Sequence, residues 1–415
     1  MGRYHVQIPA FLFWGILLRD DPSFPSGSAR SLCLRKFGAP VWQVISPGRV
    51  NLIGEHVDYN DGLVLPVAID RFLVLAARPL ARGERRVVVY SQLHDQTHTV
   101  PLDRKINPGI QGWPAYVEGV LAEFQSAGVQ LPGFSAVVTS DIPPGSGLAS
   151  SAALTVALAT LLESISGHRL DSRDKAMLCR KVEHRFAGVP CGMMDPLAVL
   201  SGQAGHALLL DCRSLQHQTV PLDGKEVALL VADSGVRHDL ADGRYRLRRE
   251  QSAEAARRLG LKSLRDVPCP LPQPEVSRLD TVLQRRVRHV TSEILRVEQA
   301  GQAMRSGNWT RLGQLMDASH DSLRDDYQVS CPELDALVGI VRGAGMQGGV
   351  YGSRMTGGGF GGCTVTLVDN QRQDQLADRL LVEYRRQTGL EARVFVCKAV
   401  SGCYSINLES GDRLS

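Results

Sequence analysis

The first half of the chain alternates short apolar runs with stretches of helical spacing. Runs rich in β-branched residues predict strands over 42–45, 62–69, 72–77, 86–90 and 134–139. Apolar residues at helical spacing predict helices over 114–125 and 152–162. A loop with two glycines, 141–147, lies between the last of these strands and the second helix. The local order there is strand, glycine loop, helix.

The second half is predominantly helical after two further strands. The pattern predicts strands over 203–210 and 226–232 and helices from 245 to about 326. A capping box, S-x-x-E at 330–333, begins another helix, whose apolar stripe is expected to lie in the core. Glycines are concentrated in 343–362, and a strand, a helix and a strand are predicted over 363–368, 373–387 and 393–397.

These patterns predict an α+β protein of two domains. A chain of 415 residues is long enough for two or three domains. The change to helical spacing near Pro221 predicts an N-terminal domain over 33–221, a C-terminal domain over 222–405 and a tail over 406–415. Residues 1–32 fit neither domain, and we expect an atypical segment that is either disordered or not genuinely part of the protein.

Composition excludes several classes of protein. Lys and Arg number 47 against 43 Asp and Glu, and the net charge of +4 is not gathered into one run, which argues against nucleic-acid binding. The 9 cysteines form no C-x-x-C pair, so we expect free thiols and a cytoplasmic protein. The longest apolar stretch, 10–18, is half of the ~18 residues that a membrane-spanning helix needs, so no membrane association is expected.

A dense group of polar residues follows the first strand. Residues 47–62 contain Arg49, Glu55, His56, Asp58 and Asn60. Carboxylate, imidazole and amide groups in such density are suited to a sugar, because each hydroxyl both donates and accepts a hydrogen bond. The same residues are also common in polar surface turns. The segment by itself leaves both interpretations open.

A second group lies in 143–152, with the sequence Pro-Pro-Gly-Ser-Gly-Leu-Ala-Ser-Ser-Ala. Its glycines allow close approach to an anion, and the following helix directs free N–H groups toward it. The Lys of a Walker A loop is absent, so the charge of a phosphate would be met by backbone dipoles, hydroxyls and a metal ion. The alternative is a tight turn from strand to helix, but the prolines and small residues favour a phosphate site.

Two further groups complete the set of candidates. In 183–195, Glu183 and Asp195 lie among Gly, Cys and Met residues, and Asp195 could act as a base or could cap a helix beginning at Pro196. In 354–363, five glycines in six positions come immediately before an apolar strand, which indicates close backbone packing rather than a flexible linker.

Taken together, the four groups resemble the galactokinases of the GHMP small-molecule kinase superfamily. The resemblance runs from about 37 to 397 and is most specific in Gly-Arg-Val-Asn-Leu-Ile-Gly-Glu-His at 48–56, followed by Asp-Tyr-Asn at 58–60. It implies a two-domain fold with the active site in the interdomain cleft. It also implies phosphorylation of α-D-galactose at its anomeric hydroxyl by MgATP.

The resemblance also implies roles for individual residues. Asp195 would take the proton of the anomeric hydroxyl, and Arg49 would lie beside it. The other sugar-binding residues would be Glu55, His56, Asp58, Gly192 and Tyr245. Gly145, Gly147, Ala149 and Ser150 would bind the ATP phosphates, Ser151 and Glu183 would hold Mg²⁺, and Trp113 and Tyr116 would enclose adenine, although these two aromatic residues could equally belong to the core.

The sequence departs from the family pattern at three positions. Val57 replaces Thr, Ala149 replaces Ser, and Pro196 replaces the Gln that follows the catalytic Asp. Two alternatives are therefore kept, an N-acetylgalactosamine kinase and a non-catalytic sensor of galactose and ATP. As for assembly, we expect a monomer or a weak homodimer.

Overall fold

The structure is a computed structural model. It describes residues 25–237, 243–268 and 273–414. The apolar stretch at 10–18 lies outside the described residues. Within the described ranges, no helix is both long and apolar enough to cross a membrane.

The strands of the described residues are numbered in chain order. They are β1 Trp42–Asn51, β2 Leu63–Val64, β3 Pro66–Pro79, β4 Arg86–Ser91, β5 Gln96–Pro101, β6 Phe134–Ser140, β7 His206–Asp211, β8 His217–Pro221, β9 Val227–Asp233, β10 Val350–Thr356, β11 Cys363–Asp369, β12 Arg393–Cys397, β13 Tyr404–Asn407 and β14 Arg413–Leu414.

The α-helices of the same residues are α1 Pro25–Lys36, α2 Trp113–Ser126, α3 Ser150–Ser166, α4 Ser172–Val182, α5 Met194–Ser201, α6 Arg244–Arg258, α7 Gln273–Val276, α8 Thr281–Arg305, α9 Trp309–Ser322, α10 Pro332–Ala344 and α11 Gln373–Thr388. Helices α4 and α9 each continue into one π-helical turn, over Glu183–Ala187 and Leu323–Tyr327. Such turns often mark functional positions.

A seven-stranded sheet organises the N-terminal half, in the order β14-β13-β1-β3-β6-β4-β5. Its pairs are antiparallel except for β4 with β6. Helix α3 packs on β1 and β3. Its residues from 152 to 163 are all buried, as expected for a helix that is apolar over most of its surface. This packing fixes the start of α3 beside the end of β1, where the polar residues of the sequence lie.

A four-stranded antiparallel sheet, β10-β11-β9-β12, organises the C-terminal half. Helices α10 and α11 cover one face with apolar side chains such as Leu337 and Leu380, and α9 packs on β10. A small third sheet, β2-β7-β8, lies beside α8. The α+β architecture predicted from the sequence is therefore observed.

Two predicted boundaries differ from the structure. Residues from 25 onward belong to α1, whose Ala29 and Cys33 are fully buried against the seven-stranded sheet. At the other end, β13 pairs with β1 and β14 pairs with β13, so the chain returns to the first sheet after 403. The first domain thus contains residues that the sequence pattern assigned to an atypical segment and to a tail, because strand pairing joins positions that are distant in sequence.

Helix α1 offers a direct test of this packing. We expect Leu32→Ala to lower the free energy of unfolding by about 2–3 kcal/mol, because Leu32 is buried on the sheet. Leu34 in the same helix is 59% exposed, and Leu34→Ala should change stability by less than about 0.5 kcal/mol. Chemical denaturation of the full chain measures both. Equal effects would show that α1 is not packed on the sheet in solution.

Candidate active site

A cleft of about 470 Å³ brings together the four groups of polar and glycine residues. Its lining comes from the end of β1, the loop before α3, the loop before α5, the start of α6 and the glycines after β10. The residues to which the resemblance gave roles in catalysis and in binding sugar, phosphate, metal and adenine all line this one cleft, whereas Asn60 lies outside the lining and donates to His56 O. Residues from both sheets therefore contribute to one site.

Arg49 is a buried residue that lines the cleft. It lies near the end of β1 and is only 4% exposed. Its backbone N–H donates to Leu148 O at 3.1 Å, and its Nη1 donates to Gly147 O. A Cβ at Gly48 would lie 2.9 Å from Leu148 O, so only glycine permits this close approach. These contacts attach the phosphate loop to the first strand.

The guanidinium of Arg49 forms a two-pronged ion pair with Asp195. Nε and Nη2 donate to Oδ1 and Oδ2, each at 2.7 Å. Burial alone would lower the pKa of Arg49, but the carboxylates of Asp195 and Glu55 outweigh it, and the pKa is raised. The arginine therefore stays charged, and the fork fixes the orientation of the Asp195 carboxylate.

Asp195 does not cap its helix. Helix α5 begins at Met194 with Met193 as its N-cap, so Asp195 lies inside the first turn and its side chain faces Arg49. Pro196 lies in the same turn, where a backbone N–H has no partner within the helix, and proline is tolerated there. The proline that departs from the family pattern is therefore compatible with this position of Asp195.

Asp58 lies against Gly192, which belongs to the loop before α5. A Cβ added to Gly192 would lie 1.7 Å from Oδ2 of Asp58, so the glycine makes room for the carboxylate. Burial first, and then the charges of Asp195 and Glu55, raise the pKa of Asp58 to about 7. Val57 beside it is completely buried in an apolar cluster, which explains why a hydrophobic residue is accepted there.

Gly192→Ala should therefore displace Asp58. We expect an increase of at least tenfold in the KM for the sugar, because the added methyl group occupies the place of the carboxylate. The KM for ATP should stay within about twofold. Steady-state kinetics measure both values, and Gly224→Ala is the matched control because a Cβ at Gly224 meets nothing within 4 Å. An unchanged sugar KM in Gly192→Ala would contradict the placement of Asp58.

Glu55 is held mainly by protein groups. Oε1 accepts hydrogen bonds from Gly357 N at 2.6 Å and from Thr356 Oγ1 at 3.0 Å, and Oε2 accepts one from Asn51 Nδ2 at 2.8 Å. Arg354 lies 3.5 Å away and is completely buried. The carboxylate thus joins the polar segment after β1 to the glycines after β10, in addition to lining the cleft.

His56 and Tyr245 form an aromatic wall. His56 has a left-handed backbone conformation with φ of 60°, and both of its ring nitrogens lie near protein oxygens, Tyr59 Oη and Gly358 O. The ring of Tyr245, from the start of α6, has its centroid 5.3 Å from that of His56. Burial lowers the pKa of His56 to about 3, so the imidazole is neutral.

The phosphate loop has the backbone conformation expected of an anion-binding turn. Gly145, Gly147 and Ala149 have positive φ values of 65°, 76° and 63°. Ala149 is the N-cap of α3 and, as alanine, supplies only its backbone to the turn. Ser150 is the first residue of α3, and the helix directs its positive end into the cleft.

The glycines after β10 pack directly on this loop. A Cβ at Gly357 would lie 2.9 Å from Gly147 O, and one at Gly362 would lie 2.8 Å from Ser146 O. This agrees with the close backbone packing expected from the sequence. Side chains at these positions would separate the two halves of the cleft.

Ser151, Glu183 and Cys191 form a small cluster beside Asp195. The side chains of Ser151 and Cys191 both hydrogen-bond to Glu183. Burial is the largest influence on that carboxyl and raises its pKa to about 7. The part of the chain that the structure describes holds no cluster of three His, Cys, Asp or Glu side chains that could bind a metal alone. A buried carboxylate with a hydroxyl does fit Mg²⁺ in a nucleotide site, where phosphates and water supply most ligands.

Trp113 and Tyr116 lie at the start of α2 and line the cleft. Trp113 stacks on His94 with a centroid distance of 6.0 Å and an angle of 10°. Both aromatic residues are partly buried and also pack against the main hydrophobic core. The two roles considered for them from the sequence are therefore compatible with each other.

Two features were not found from the sequence, one beside the cleft and one in its lining. Arg237 donates from Nε to Pro144 O at 2.9 Å and is fixed by Asp233, with 2.7 Å between Nη1 and Oδ1. The turn after β4 contributes Leu93 and His94 to the cleft lining, where His94 stacks on Trp113. Neither segment has a distinctive spacing, and only the sheet topology brings them to the cleft.

Family models, curated proteins and solved structures all match this chain. Family models match as "GHMP kinases N terminal domain" over residues 115–203, "Galactokinase galactose-binding signature" over 34–79 and "GHMP kinases C terminal" over 302–385. The chain is 48% identical to the galactokinase of Bos taurus over 86% of this chain and 91% of that protein. It is 49% identical to the galactokinase of Homo sapiens over 82% and 87% of the two chains.

Solved structures give the same result. The structure of Lactococcus lactis galactokinase complexed with galactose has a TM-score of 0.83 at 31% identity, covering 91% of this chain and 98% of that one. A mevalonate kinase structure shares the fold at a TM-score of 0.60 and 18% identity, covering 86% and 99%. On the identity to curated relatives over most of its length, the chain belongs to the galactokinase family of the GHMP kinases.

Proposed function

We propose that the protein transfers the γ-phosphoryl group of ATP to the anomeric hydroxyl of α-D-galactose, giving galactose 1-phosphate and ADP. The observation that carries this proposal is the Arg49–Asp195 pair, which lies between the galactose-binding segment and the phosphate loop in one cleft. A sugar on one side and a nucleotide on the other would meet at this pair. Family membership supplies both substrates.

Asp195 is the group best placed to take the proton of the sugar hydroxyl. Its carboxylate is 26% exposed toward the cleft, whereas Arg49 is buried beneath it. The fork holds both carboxylate oxygens on the guanidinium and leaves their remaining lone pairs for the hydroxyl. The permanent charge of Arg49 also stabilises negative charge that develops during phosphoryl transfer.

The sugar would be held by the residues around this pair. Asp58, Glu55 and His56 line the cleft with it, Gly192 lies against Asp58, and the ring of Tyr245 lies beside that of His56. Charged partners discriminate strongly among hydroxyl positions, because an unpaired buried carboxylate is costly.

The phosphates would lie on the turn that precedes α3. Gly145, Gly147, Ala149 and Ser150 line the cleft at the positive end of α3, where backbone N–H groups would bind the phosphates. The Ser151 hydroxyl and the Glu183 carboxylate would hold the Mg²⁺ of MgATP, which neutralises phosphate charge when bound. Trp113 and Tyr116 would enclose the adenine ring.

An assay with a panel of sugars tests the proposal. Purified protein with MgATP and galactose should release ADP, and NMR of the product should place the phosphate on the anomeric carbon. N-acetylgalactosamine is the informative second sugar, and a higher kcat/KM for it would replace the proposed substrate. Galactose binding without ADP release would identify a sensor instead of an enzyme.

We also propose that the protein acts in the cytoplasm as a monomer or a weak homodimer. The cysteines of the described ranges are free, which suits a reducing compartment. Light scattering after size-exclusion chromatography over a range of concentrations tests the oligomeric state. A concentration-independent assembly larger than a dimer would contradict the proposal.

A further inference from the structure

A chain of hydroxyl groups lies behind His56, outside the lining of the cleft. Tyr59 Oη is 2.7 Å from His56 Nδ1, Tyr327 Oη is 2.9 Å from Tyr59 Oη, and Ser252 Oγ is 2.7 Å from Tyr327 Oη. Tyr327 and Ser252 are buried. The only member of this chain that faces the cleft is therefore the imidazole at its end.

The carbonyl at the other side of the imidazole sets the direction of these hydrogen bonds. His56 Nε2 lies 3.1 Å from Gly358 O, and a carbonyl oxygen can only accept, so Nε2 carries a proton. A neutral imidazole has one donor and one acceptor, so Nδ1 accepts from the Tyr59 hydroxyl. Tyr59 then has no proton left for Tyr327, and the Tyr327 hydroxyl must donate to it.

We propose that Tyr59 is a positioning residue whose hydroxyl, together with Gly358 O, holds His56 in the Nε2–H form, so that the imidazole presents a hydrogen-bond donor to the sugar site. In the free protein this donor meets Gly358 O, and with substrate it is available to a sugar hydroxyl oxygen. The inference rests on the proposed function only where it names the sugar. Its part on the proton of His56 rests on the geometry alone.

The role of the hydroxyl can be separated from that of the ring. The Tyr59 ring packs edge-on against His56 and Tyr245, with centroid distances of 5.9 Å and 5.7 Å. Tyr59→Phe keeps these contacts and removes the hydroxyl that donates to Nδ1 and accepts from Tyr327. Gly358 O still accepts from Nε2–H in this variant, so the proton stays on Nε2 and Nδ1 loses its hydrogen-bond donor.

The first measurement is nitrogen-15 NMR of histidine-labelled protein. His56→Gln identifies the His56 signals by their loss. We expect wild-type His56 to be neutral with its proton on Nε2, and Tyr59→Phe to move the Nδ1 signal toward that of an imidazole nitrogen that accepts no hydrogen bond. Wild-type protein with the proton on Nδ1 would overturn the proposal even if Tyr59→Phe did not fold. Unchanged signals in a folded Tyr59→Phe protein would overturn it as well.

The second measurement separates the two substrates. Tyr59→Phe should raise the KM for galactose about tenfold and leave the KM for ATP within about twofold, because one hydrogen bond to the sugar loses its fixed donor. Tyr384→Phe is the matched control, since it likewise removes a tyrosine hydroxyl that donates a hydrogen bond within the fold, to Ser234 O at 2.8 Å. The control should change neither the His56 signals nor the KM for galactose.

The outcomes distinguish this inference from the proposed function. If wild-type protein does not phosphorylate galactose, the proposed function fails, but the NMR measurement still decides whether Tyr59 fixes the proton of His56. If galactose is phosphorylated and Tyr59→Phe raises both KM values equally, the residue supports the fold of the cleft and the positioning role is rejected.

Discussion

Asp58→Asn should raise the KM for galactose by about 10- to 100-fold and leave the KM for ATP within about twofold. The Asp58 carboxylate lines the cleft beside Gly192, and in the proposed function it holds a sugar hydroxyl. A sugar hydroxyl forms a stronger hydrogen bond with a charged carboxylate oxygen than with the neutral amide oxygen of asparagine, so the substitution weakens galactose binding. Steady-state kinetics with each substrate varied in turn measure the two values.

The same substitution should stabilise the free protein at alkaline pH. Burial and the neighbouring carboxylates raise the pKa of Asp58 from 3.8 to about 7. The folded state therefore binds this proton more tightly than the unfolded chain, and stability is lost as pH rises through that interval. The asparagine of the variant carries no charge to bury, so Asp58→Asn should be more stable than wild type at pH 8 and closer to it near pH 4.

The affinity of the wild-type protein for galactose should also depend on the protonation of Asp58. Below about pH 7 Asp58 takes up a proton in the free protein, so the apparent affinity for galactose should fall as pH decreases through 7. In Asp58→Asn this dependence should be weaker. Calorimetric titration of galactose at pH 6 and pH 8 measures it without requiring turnover.

Asp61→Asn is the control for these effects. Asp61 lies in the same segment, but its side chain is 46% exposed and it is 3.5 Å from Arg213 rather than in the cleft. Its replacement should leave the KM for galactose and the pH dependence unchanged. Loss of stability in Asp58→Asn at pH 8, together with an unchanged galactose KM, would show that Asp58 is a structural residue.

The elements with strong periodicity were predicted well from the sequence. The predicted helix 114–125 is observed as α2, Trp113–Ser126, because its apolar residues recur at the spacing of one buried face. The strand β10, Val350–Thr356, was missed among glycines. Gly352 is required there because a Cβ would lie 2.1 Å from Gly313 O, a contact between distant parts of the chain that local pattern does not contain.

The site was predictable in its residue types but not in its pairings. The polar residues of 49–58 and the glycine loop are visible as clusters, and the resemblance to a family gave them roles. The Arg49–Asp195 fork joins positions 146 residues apart, and Glu55 receives a hydrogen bond from Gly357, 302 residues away. Sequence alone treated Glu55 as a sugar ligand and could not show that it also joins the two halves of the cleft.

Asp195→Asn should lower kcat by about 10²- to 10⁴-fold while galactose still binds. The amide has nearly the size of the carboxylate and retains an oxygen toward Arg49, but it cannot take the proton of the sugar hydroxyl. Rapid-quench measurement of ADP formation gives kcat, and calorimetric titration gives galactose binding. Stability should also fall, because Arg49 is buried and loses its charged partner.

Asp211→Asn separates this loss of stability from the loss of chemistry. Asp211 forms the same two-pronged pair with Arg265, at 2.6 Å and 2.8 Å, but on the small sheet outside the cleft lining. Arg265 lowers the pKa of Asp211 to about 2, so at neutral pH the pair stabilises the fold. The control should lose stability without a change in kcat.

The two variants therefore decide what the Asp195 carboxylate does. If both lose stability and only Asp195→Asn loses kcat, the carboxylate acts in the reaction and not merely as the partner of Arg49. If Asp195→Asn keeps its kcat in a folded protein, no base is needed at this position. Phosphoryl transfer would then depend on the charge of Arg49 and on the alignment of the two substrates across the phosphate loop.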